Sequence, residues 1–372
     1  MNKNPPKINN TSKDELSPEL QKLHQMLETA DLPVELSDRA QANIERVQRL
    51  FGSSQFYTAL DNTYRFIELV IDLPWNKRSE DNLDLQVAGE ILETTHYGLR
   101  LIKDRILEYI AVLALQKEAK RSSEREEVIR SLQKRGVGMS PVLMFTGLPG
   151  VGKTSIAYSV AKAMNREFIR IAMGGMGSAS HLRGDPQMMS GSEPGMIVKG
   201  LRRAQTKNPV ILLDEIDRVA EAARADIMGV LLELLDPQQN SEFMDYYLNY
   251  PFDLSEVMFL CSGNKTAGIS NAVLDRMEVI QMPGYTDEEK IIIAREYLLP
   301  QALQVAGMDK DDVVIEEAVW PLITRPLGFD AGIRTMNRTV EAVIRRCARQ
   351  RVSGTTKKFV VNEENIRDYV PE

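Results

Sequence analysis

Hydrophobic positions in the first part of the chain recur at helical spacing. Apolar residues three or four apart mark the segments Leu20–Leu27, Ile44–Phe51 and Leu60–Leu69. We predict a helical hairpin or small bundle here, and Leu73–Asn76 ends its last helix because Pro74 cannot continue a helix. The polar residues 1–16 are predicted to form a disordered tail.

From about residue 85 onward, short apolar runs alternate with amphipathic helical patterns. The runs predict strands at 142–146, 167–172, 209–214, 257–262 and 277–282. The patterns between and before them predict helices at 85–92, 101–115, 155–161, 196–205 and 225–235. This alternation is typical of an α/β fold, a parallel sheet with helices on both faces. Ligands of such sheets bind at the carboxyl ends of the strands.

The last part of the chain returns to a helical pattern. Thr286 and Glu289 form a capping-box signature, and helices are predicted over 316–323 and 332–352, with a short strand at 359–361. The sequence therefore predicts four parts: a disordered tail (1–16), an N-terminal helical segment (17–84), a large α/β subdomain (85–284) and a small helical lid (285–372).

Composition narrows the class of protein. The 372 residues are 43% hydrophobic and 27% charged, which is normal for a soluble globular protein, and the net charge of −7 argues against a surface built wholly for nucleic acid. Cys261 and Cys347 form no disulfide framework, and the three histidines show no zinc-ligand spacing with them. With no transmembrane-length run and no signal peptide, we expect a cytoplasmic protein without a membrane partner.

The segment 117–135 is the most highly charged part of the chain, with seven basic and four acidic residues. A basic patch for nucleic acid is one interpretation. The mixed signs favour the other, a solvated helical extension.

A glycine-rich motif follows the predicted strand 142–146 and opens the next helix. It reads Gly147, Leu148, Pro149, Gly150, Val151, Gly152, Lys153 and Thr154, with Ser155 directly after it. This is the G-x-x-x-x-G-K-[ST] phosphate-binding loop, whose backbone N–H groups and helix N-terminus face the phosphates. Lys153 is expected to reach the β- and γ-phosphates of ATP, and the Thr154 hydroxyl is expected to bind Mg²⁺.

Carboxylates and an amide end the next two core strands. Asp214 and Glu215 follow the apolar run about sixty residues after the loop, and Asn264 ends the run after that. Asp214 is expected to hold Mg²⁺ through water, and Glu215 to orient or deprotonate the attacking water. Asn264 is a candidate to hold that water or the γ-phosphate, and Arg276 and Arg334 are candidates to stabilise charge on the transferring phosphate.

These motifs together resemble an AAA+ ATPase module, and in detail that of the Lon protease family. The likeness covers about residues 30–370 and also rests on Leu73–Arg78, His96–Leu99, Thr206–Val210, Leu232–Pro237 and Leu274–Ile280. The resemblance implies a homo-hexameric ring with ATP bound between subunits. It implies that Asn264 is sensor 1, Arg334 sensor 2 on the lid, and Arg276 a finger that reaches the neighbour's ATP. It also implies that His96, Tyr97 and Gly98 line the adenine pocket.

Two departures from the family pattern concern what the ATPase would drive. The chain stops where the family's Ser-Lys peptidase domain should begin, so we expect this polypeptide alone to lack peptidase activity. In the substrate-contacting loop, Met189 and Ser190 occupy the positions of the family's aromatic–aliphatic pair, within Arg183–Gly191.

The sequence therefore favours a Lon-type AAA+ ATPase that unfolds or remodels unfolded or misfolded proteins. The alternative is a regulatory subunit, or a split ATPase half, that works with a full-length Lon or a separate peptidase. A third hypothesis is a DNA-responsive ATPase that uses the segment 117–135.

Overall fold

The structure, a computed structural model, describes residues 18–119, 142–189, 191–324, 332–354 and 358–370. Within these ranges the α-helices are α1 Pro18–Glu28, α2 Val34–Arg49, α3 Phe56–Asp72, α4 Leu85–Thr95, α5 Arg100–Ala119, α6 Lys153–Ala163, α7 Ser180–Arg183, α8 Met196–Ala204, α9 Arg224–Leu235, α10 Asn271–Leu274, α11 Asp287–Ile293, α12 Leu299–Val305, α13 Trp320–Thr324 and α14 Arg334–Val352. The strands are β1 Val142–Thr146, β2 Phe168–Ala172, β3 Val210–Asp214, β4 Phe243–Asp245, β5 Tyr250–Phe252, β6 Met258–Gly263, β7 Met277–Gln281, β8 Val313–Ile315 and β9 Phe359–Val361.

The chain forms two compact units whose segments interleave along the sequence. The first unit comprises the described residues within Met1–Arg78, Ser180–Lys207 and Glu242–Asp253, and the second comprises the described residues within Ser79–Ala179, Asn208–Ser241 and Leu254–Glu372. The chain thus leaves the second unit twice between strands of the sheet. The four-part division expected from the sequence stays a prediction.

The first unit contains the N-terminal helices that the hydrophobic spacing predicts. In α1 the buried residues are Leu20, Leu23 and Leu27, three or four residues apart, so one face of the helix is apolar. Helix α3 ends before Pro74, and the Trp75 indole N–H donates to the Val70 carbonyl at 2.8 Å. The predicted helices and their proline stop are therefore present.

The second unit is built on a five-stranded parallel sheet with the order β2-β3-β6-β1-β7. All residues of β3 and β6 are buried, whereas the edge strand β2 alternates buried and exposed positions. A central strand packs on both faces and so reads as a continuous apolar run, while an edge strand keeps polar positions. The predicted parallel sheet is confirmed, with helices flanking it.

One layer of helices covers the sheet beneath the glycine-rich loop. Helices α4, α5 and α6 contribute buried residues to a common core with β1, β3 and β6. Ile156 and Val160 of α6 are fully buried there beside Leu143 and Phe145 of β1. Burying each such side chain contributes about 1.5–3 kcal/mol, so this core fixes α6 and the loop before it.

The C-terminal part forms its own hydrophobic core. The predicted capping box is present: Thr286 Oγ1 accepts from the Glu289 N–H at 3.2 Å, and the Glu289 carboxylate accepts from the Thr286 N–H at 2.9 Å. Trp320 is 2% exposed within a cluster that includes Val340 and Val343 of α14. Strands β8 and β9 form a parallel pair, of which only β9 was predicted from the sequence.

The predicted tail 1–16 and the part of the charged segment 117–135 that follows Ala119 fall outside the described residues. Across the described helices, none is both long and apolar enough to cross a membrane.

Candidate nucleotide-binding site

The glycine-rich loop joins β1 to α6 and has a conformation that its glycines permit. Gly152 has φ +101° and caps α6, which begins at Lys153. At Gly147 a Cβ atom would lie 2.5 Å from the Met282 carbonyl oxygen, so only glycine fits beside β7. The first N–H groups of α6 have no partner within the helix and can bind an anion.

Lys153 lies across this loop. Its Nζ donates to the carbonyls of Gly147 at 2.7 Å and Leu148 at 3.0 Å, and to Asn264 Oδ1 at 3.0 Å. Burial lowers the pKa of Lys153 from its ordinary value. The contact with Asn264 brings together two residues that the sequence places more than a hundred positions apart.

The Asp214 carboxylate is the centre of the polar contacts at the end of β3. Its side chain is 5% exposed; Oδ2 accepts from Thr154 Oγ1 at 3.3 Å, and Oδ1 accepts from the Ser262 hydroxyl. The Arg170 Nε donates to Oδ2 at 2.6 Å. Hydroxyl and carboxylate oxygens are the ligands that Mg²⁺ prefers, so Thr154 and Asp214 fit a magnesium ion held with a nucleotide.

Glu215 has an unusual backbone for a non-glycine residue. Its φ is +60°, its N–H donates to Ser262 Oγ at 3.2 Å, and its side chain pairs with Arg218 at 3.2 Å. A Cβ on Gly174 would lie 2.7 Å from Glu215 Oε2, so that glycine leaves room for the carboxylate. Left-handed conformations of non-glycine residues cost on the order of 1–3 kcal/mol and cluster at functional sites.

His96 is buried against the start of α6. Its Nε2 lies 2.9 Å from Ser155 Oγ and its Nδ1 lies 3.0 Å from Thr95 Oγ1, while the Lys103 Nζ donates to the His96 carbonyl at 2.7 Å. Burial, and then the charge of Lys103, lower the pKa of His96 to about 4. The imidazole is therefore neutral at neutral pH and suits a pocket for an uncharged ring.

The C-terminal part donates two hydrogen bonds to backbone carbonyls of the glycine-rich loop. The Ile333 N–H donates to the Gly150 carbonyl at 3.1 Å, and the Tyr285 hydroxyl donates to the Val151 carbonyl at 3.1 Å. A Cβ on Gly332 would lie 2.5 Å from the Pro149 carbonyl oxygen, so the approach requires glycine. This places Arg334 at the loop.

One cavity of about 740 Å³ collects most of the predicted residues, a size within the roughly 300–1,000 Å³ usual for ligand sites. Its wall includes Pro149, Gly150, Gly152, Lys153, Thr154, Ser155, Asp214, Glu215, Asn264, Arg334, His96 and Tyr97. Gly147, Leu148, Val151 and Gly98 are neighbours of the wall in sequence but do not line it. The glycine cradle and the oxygen ligands fit ATP with Mg²⁺.

Arg276 does not line this cavity. It lies between α10 and β7, where its guanidinium donates to Asp236 Oδ2 at 2.9 Å and to the Ala272 carbonyl at 2.9 Å. Its side chain is 33% exposed.

The sequence did not single out Arg170 and Tyr285, which line the cavity, or Ser262, which donates to the Asp214 carboxylate. Arg170 is a charge within an otherwise apolar strand, which is a recognisable signal. Ser262 and Tyr285 have no such signal, because their importance depends on which elements lie beside them.

In the first unit, the predicted substrate-contacting segment is a loop between α7 and α8, here called the methionine loop (residues 184–195). The buried Asp245 carboxylate accepts from the Gly195 N–H at 2.7 Å, and the Gln187 amide donates to the Tyr247 carbonyl at 2.8 Å. Met188 is 98% exposed and Met189 58% exposed. Ser190 lies outside the described residues.

Comparison with known proteins agrees with this fold. Residues 143–285 match the family model described as "ATPase family associated with various cellular activities (AAA)". The chain therefore contains an AAA ATPase domain, in which the glycine-rich loop and the Asp214–Glu215 strand end lie.

The similarity extends well beyond that domain. The chain is 40% identical over 352 residues to "Lon protease 2" of Thermus thermophilus and 39% identical over 353 residues to "Lon protease" of Dictyoglomus thermophilum, each match covering 95% of this chain and 42% of the relative. It is 41% identical over 327 residues to "Lon protease homolog 2, peroxisomal" of Zea mays, covering 88% of this chain and 34% of the relative. The chain belongs to the Lon family and spans less than half the length of these relatives.

The low pKa of His96 predicts how stability depends on pH. The unfolded chain takes up a proton near pH 6.5 but the folded chain only near pH 4, so stability falls as the pH falls between these values, by up to about 3 kcal/mol. We expect His96→Gln to remove this slope. Chemical denaturation at a series of pH values, comparing His96→Gln with wild type, isolates the histidine because all other groups titrate in both proteins.

The control for this prediction is His181→Gln, which removes an exposed histidine and should keep the wild-type slope. Equal slopes in wild type and His96→Gln would show that His96 is not held neutral by the fold.

Proposed function

We propose that this chain binds ATP with Mg²⁺, hydrolyses it and uses the energy to unfold or remodel other proteins. The observation that carries the proposal is the convergence of Lys153, Thr154, Asp214, Glu215 and Asn264 on one cavity. Its context is a chain that matches Lon proteases along nearly its whole length. The peptidase activity named in those relatives is not part of the proposal for this chain.

Each cavity residue has a role that its position supports. Lys153 binds the β- and γ-phosphates, and Thr154 with Asp214 holds Mg²⁺, which neutralises phosphate charge when bound. Glu215 orients or deprotonates the attacking water, and Asn264, which contacts Lys153, holds that water or the γ-phosphate.

Residues at the rim complete the nucleotide site. Arg334, at the start of α14, stabilises charge on the transferring phosphate from the lid side. His96 and Tyr97 pack against the adenine ring. His96 is buried and neutral, so it offers such a ring contact without a competing charge.

The position of Arg276 supports a site shared between subunits. Its guanidinium is bound to Asp236, away from the cavity of its own chain, and part of it remains exposed. In a ring of identical chains, head-to-tail contacts bring one surface of each subunit against the nucleotide site of the next. We propose a homo-hexamer in which Arg276 acts on the neighbour's ATP.

We also propose a compartment and a partner for this chain. Both cysteines are free and buried, which agrees with a reducing compartment such as the cytoplasm. The partner is an unfolded or misfolded protein, in a role in protein quality control.

Substitutions at the phosphate and water positions should separate binding from turnover. We expect Lys153→Ala to weaken ATP binding about a hundredfold, because it removes a charge-assisted contact to phosphate. Glu215→Gln should bind ATP normally but hydrolyse it about 10²–10⁴-fold more slowly. Calorimetric ATP binding and a phosphate-release assay measure the two effects.

The control is Lys310→Ala, which removes an exposed lysine of the C-terminal part and should change neither quantity. Equal ATP affinity in Lys153→Ala and wild type would refute the phosphate-binding role.

A mixing experiment tests the shared site. We expect Arg276→Ala to lower turnover about 10³-fold or more. Mixing it in equal amounts with Lys153→Ala should restore activity, because about a quarter of the interfaces then pair an intact loop with an intact finger. Phosphate release by the mixture, with assembly checked by light scattering, is the measurement; no recovery in correctly assembled mixtures would contradict action across subunits.

The methionine loop favours a second candidate function, a regulatory subunit that assembles with a full-length Lon or a separate peptidase. Met189 and Ser190 stand where the family is expected to have an aromatic–aliphatic pair. The exposed Met188 and Met189 nevertheless provide an adaptable apolar contact. The two candidates differ in whether polypeptide stimulates the ATPase.

For a remodelling ATPase, we expect a permanently unfolded protein, reduced and carboxymethylated, to raise ATP turnover about twofold or more by engaging the methionine loop. The double substitution Met188→Asp and Met189→Asp should abolish the stimulation, because charge opposes an apolar contact. Val305→Asp, at an exposed apolar position of α12, is the control and should retain it. A flat response of the wild-type chain would favour the regulatory subunit.

A further inference from the structure

Arg170 is a charged residue of the cavity that none of the roles above uses. It lies on the edge strand β2, next to β3, and its side chain is 51% exposed. Its Nε reaches Asp214 Oδ2 at 2.6 Å, and it forms part of the cavity wall beside Thr154 and Glu215. Arg170 is therefore partly exposed to solvent while it contacts Asp214, the proposed magnesium ligand.

Asp214 depends on this contact for charge balance. Its carboxylate is almost fully buried, and a buried charge without a partner is strongly destabilising. Lys153, another cation of the cavity, donates to two loop carbonyls and to Asn264 rather than to Asp214. Arg170 is thus the cation in direct contact with Asp214 in the described part of the chain.

The same contact lies where magnesium chemistry needs the carboxylate. Oδ2 accepts from both the Thr154 hydroxyl and Arg170, which together match the number of lone pairs on one carboxylate oxygen. Thr154 and Asp214 are the residues that would hold Mg²⁺, and Arg170 would then compete with it for Oδ2. A guanidinium next to a divalent cation is also repelled.

We propose that Arg170 is an internal counter-ion of Asp214 that Mg²⁺ displaces when the nucleotide site loads. Arg170 neutralises the buried carboxylate in the absence of the metal, and it weakens the coupling between Mg²⁺ and nucleotide because the two cations compete for Oδ2. This rests on the proposed ATP·Mg²⁺ site and adds a residue that sets how strongly that site depends on Mg²⁺.

The first test measures that coupling without turnover. A fluorescent ADP analogue is titrated in excess Mg²⁺ and in EDTA. The dissociation constant in EDTA divided by that in Mg²⁺ gives the ratio that measures the coupling. We expect Arg170→Gln to raise this ratio about tenfold over wild type, and Arg170→Lys to lie between them. Equal weakening of binding in both conditions would mean that Arg170 contacts phosphate instead, and an unchanged ratio overturns the proposal.

Arg218→Gln is the matched control. Arg218 lines the same cavity and is 55% exposed, but it pairs with Glu215 rather than Asp214. Arg218→Gln removes the same charge as Arg170→Gln, so it reports the long-range electrostatic effect alone. It should change the ratio of dissociation constants much less. An equal change in both variants would show that the direct contact with Asp214 is not what matters.

The second test needs neither metal nor nucleotide. In EDTA we expect Arg170→Gln to lower the melting temperature by several degrees, and the added substitution Asp214→Asn to restore most of that loss, because no buried charge then lacks a partner. An equal loss from Arg170→Gln with and without Asp214→Asn in the same chain would overturn the counter-ion role. If the wild-type chain binds no nucleotide, the proposed function fails while this cycle still tests the pair.

Discussion

The parallel pairing of β3, β6 and β1 is the constraint on which the site depends. Their registers align Leu213 with Cys261 and Thr146 with Gly263, so the three strands end at one edge of the sheet. Three segments distant in sequence meet there: the glycine-rich loop after β1, Asp214–Glu215 after β3, and Ser262–Asn264 at the end of β6. Because side chains alternate along a strand, a shift of one residue in either pairing would turn the Asp214 carboxylate away from Thr154.

Charge balance is the second constraint, and it follows from the first. The consecutive carboxylates Asp214 and Glu215 lie at this partly buried edge, where like charges repel. The structure separates their partners: Asp214 is bound to Arg170 and Ser262, whereas Glu215 pairs with Arg218. The left-handed backbone of Glu215 contributes to this separation, since it directs two consecutive carboxylates to different partners.

The central strands and the phosphate-binding loop were predictable from sequence because their signals are local. A fully buried strand such as β3 is a continuous apolar run, and the loop from Gly147 to Thr154 has a fixed spacing. The contact of Arg170 with Asp214 was not predictable, because it exists only where β2 lies beside β3. The three-residue strands β4, β5 and β8 were missed, whereas the equally short β9 was predicted from its apolar run Phe359–Val361. The interleaving of the two units depends on contacts that no local pattern records.

The methionine loop shows how the first unit holds an exposed apolar tip. The fully buried Asp245 carboxylate accepts a hydrogen bond from the Gly195 N–H and so holds the end of the loop. Burial raises the pKa of this carboxyl to about 6, because burying a charged group is unfavourable. The loop end is fixed, and Met188 and Met189 near its tip are exposed. Such methionines suit a surface that contacts many different sequences, because the unbranched thioether side chain adapts to irregular apolar shapes. The resemblance to the Lon family rests on the residues of the predicted nucleotide site, whereas the predicted substrate-contacting loop departs from the family pattern at Met189 and Ser190. The two can vary independently because the cavity residues belong to the second unit and the loop belongs to the first.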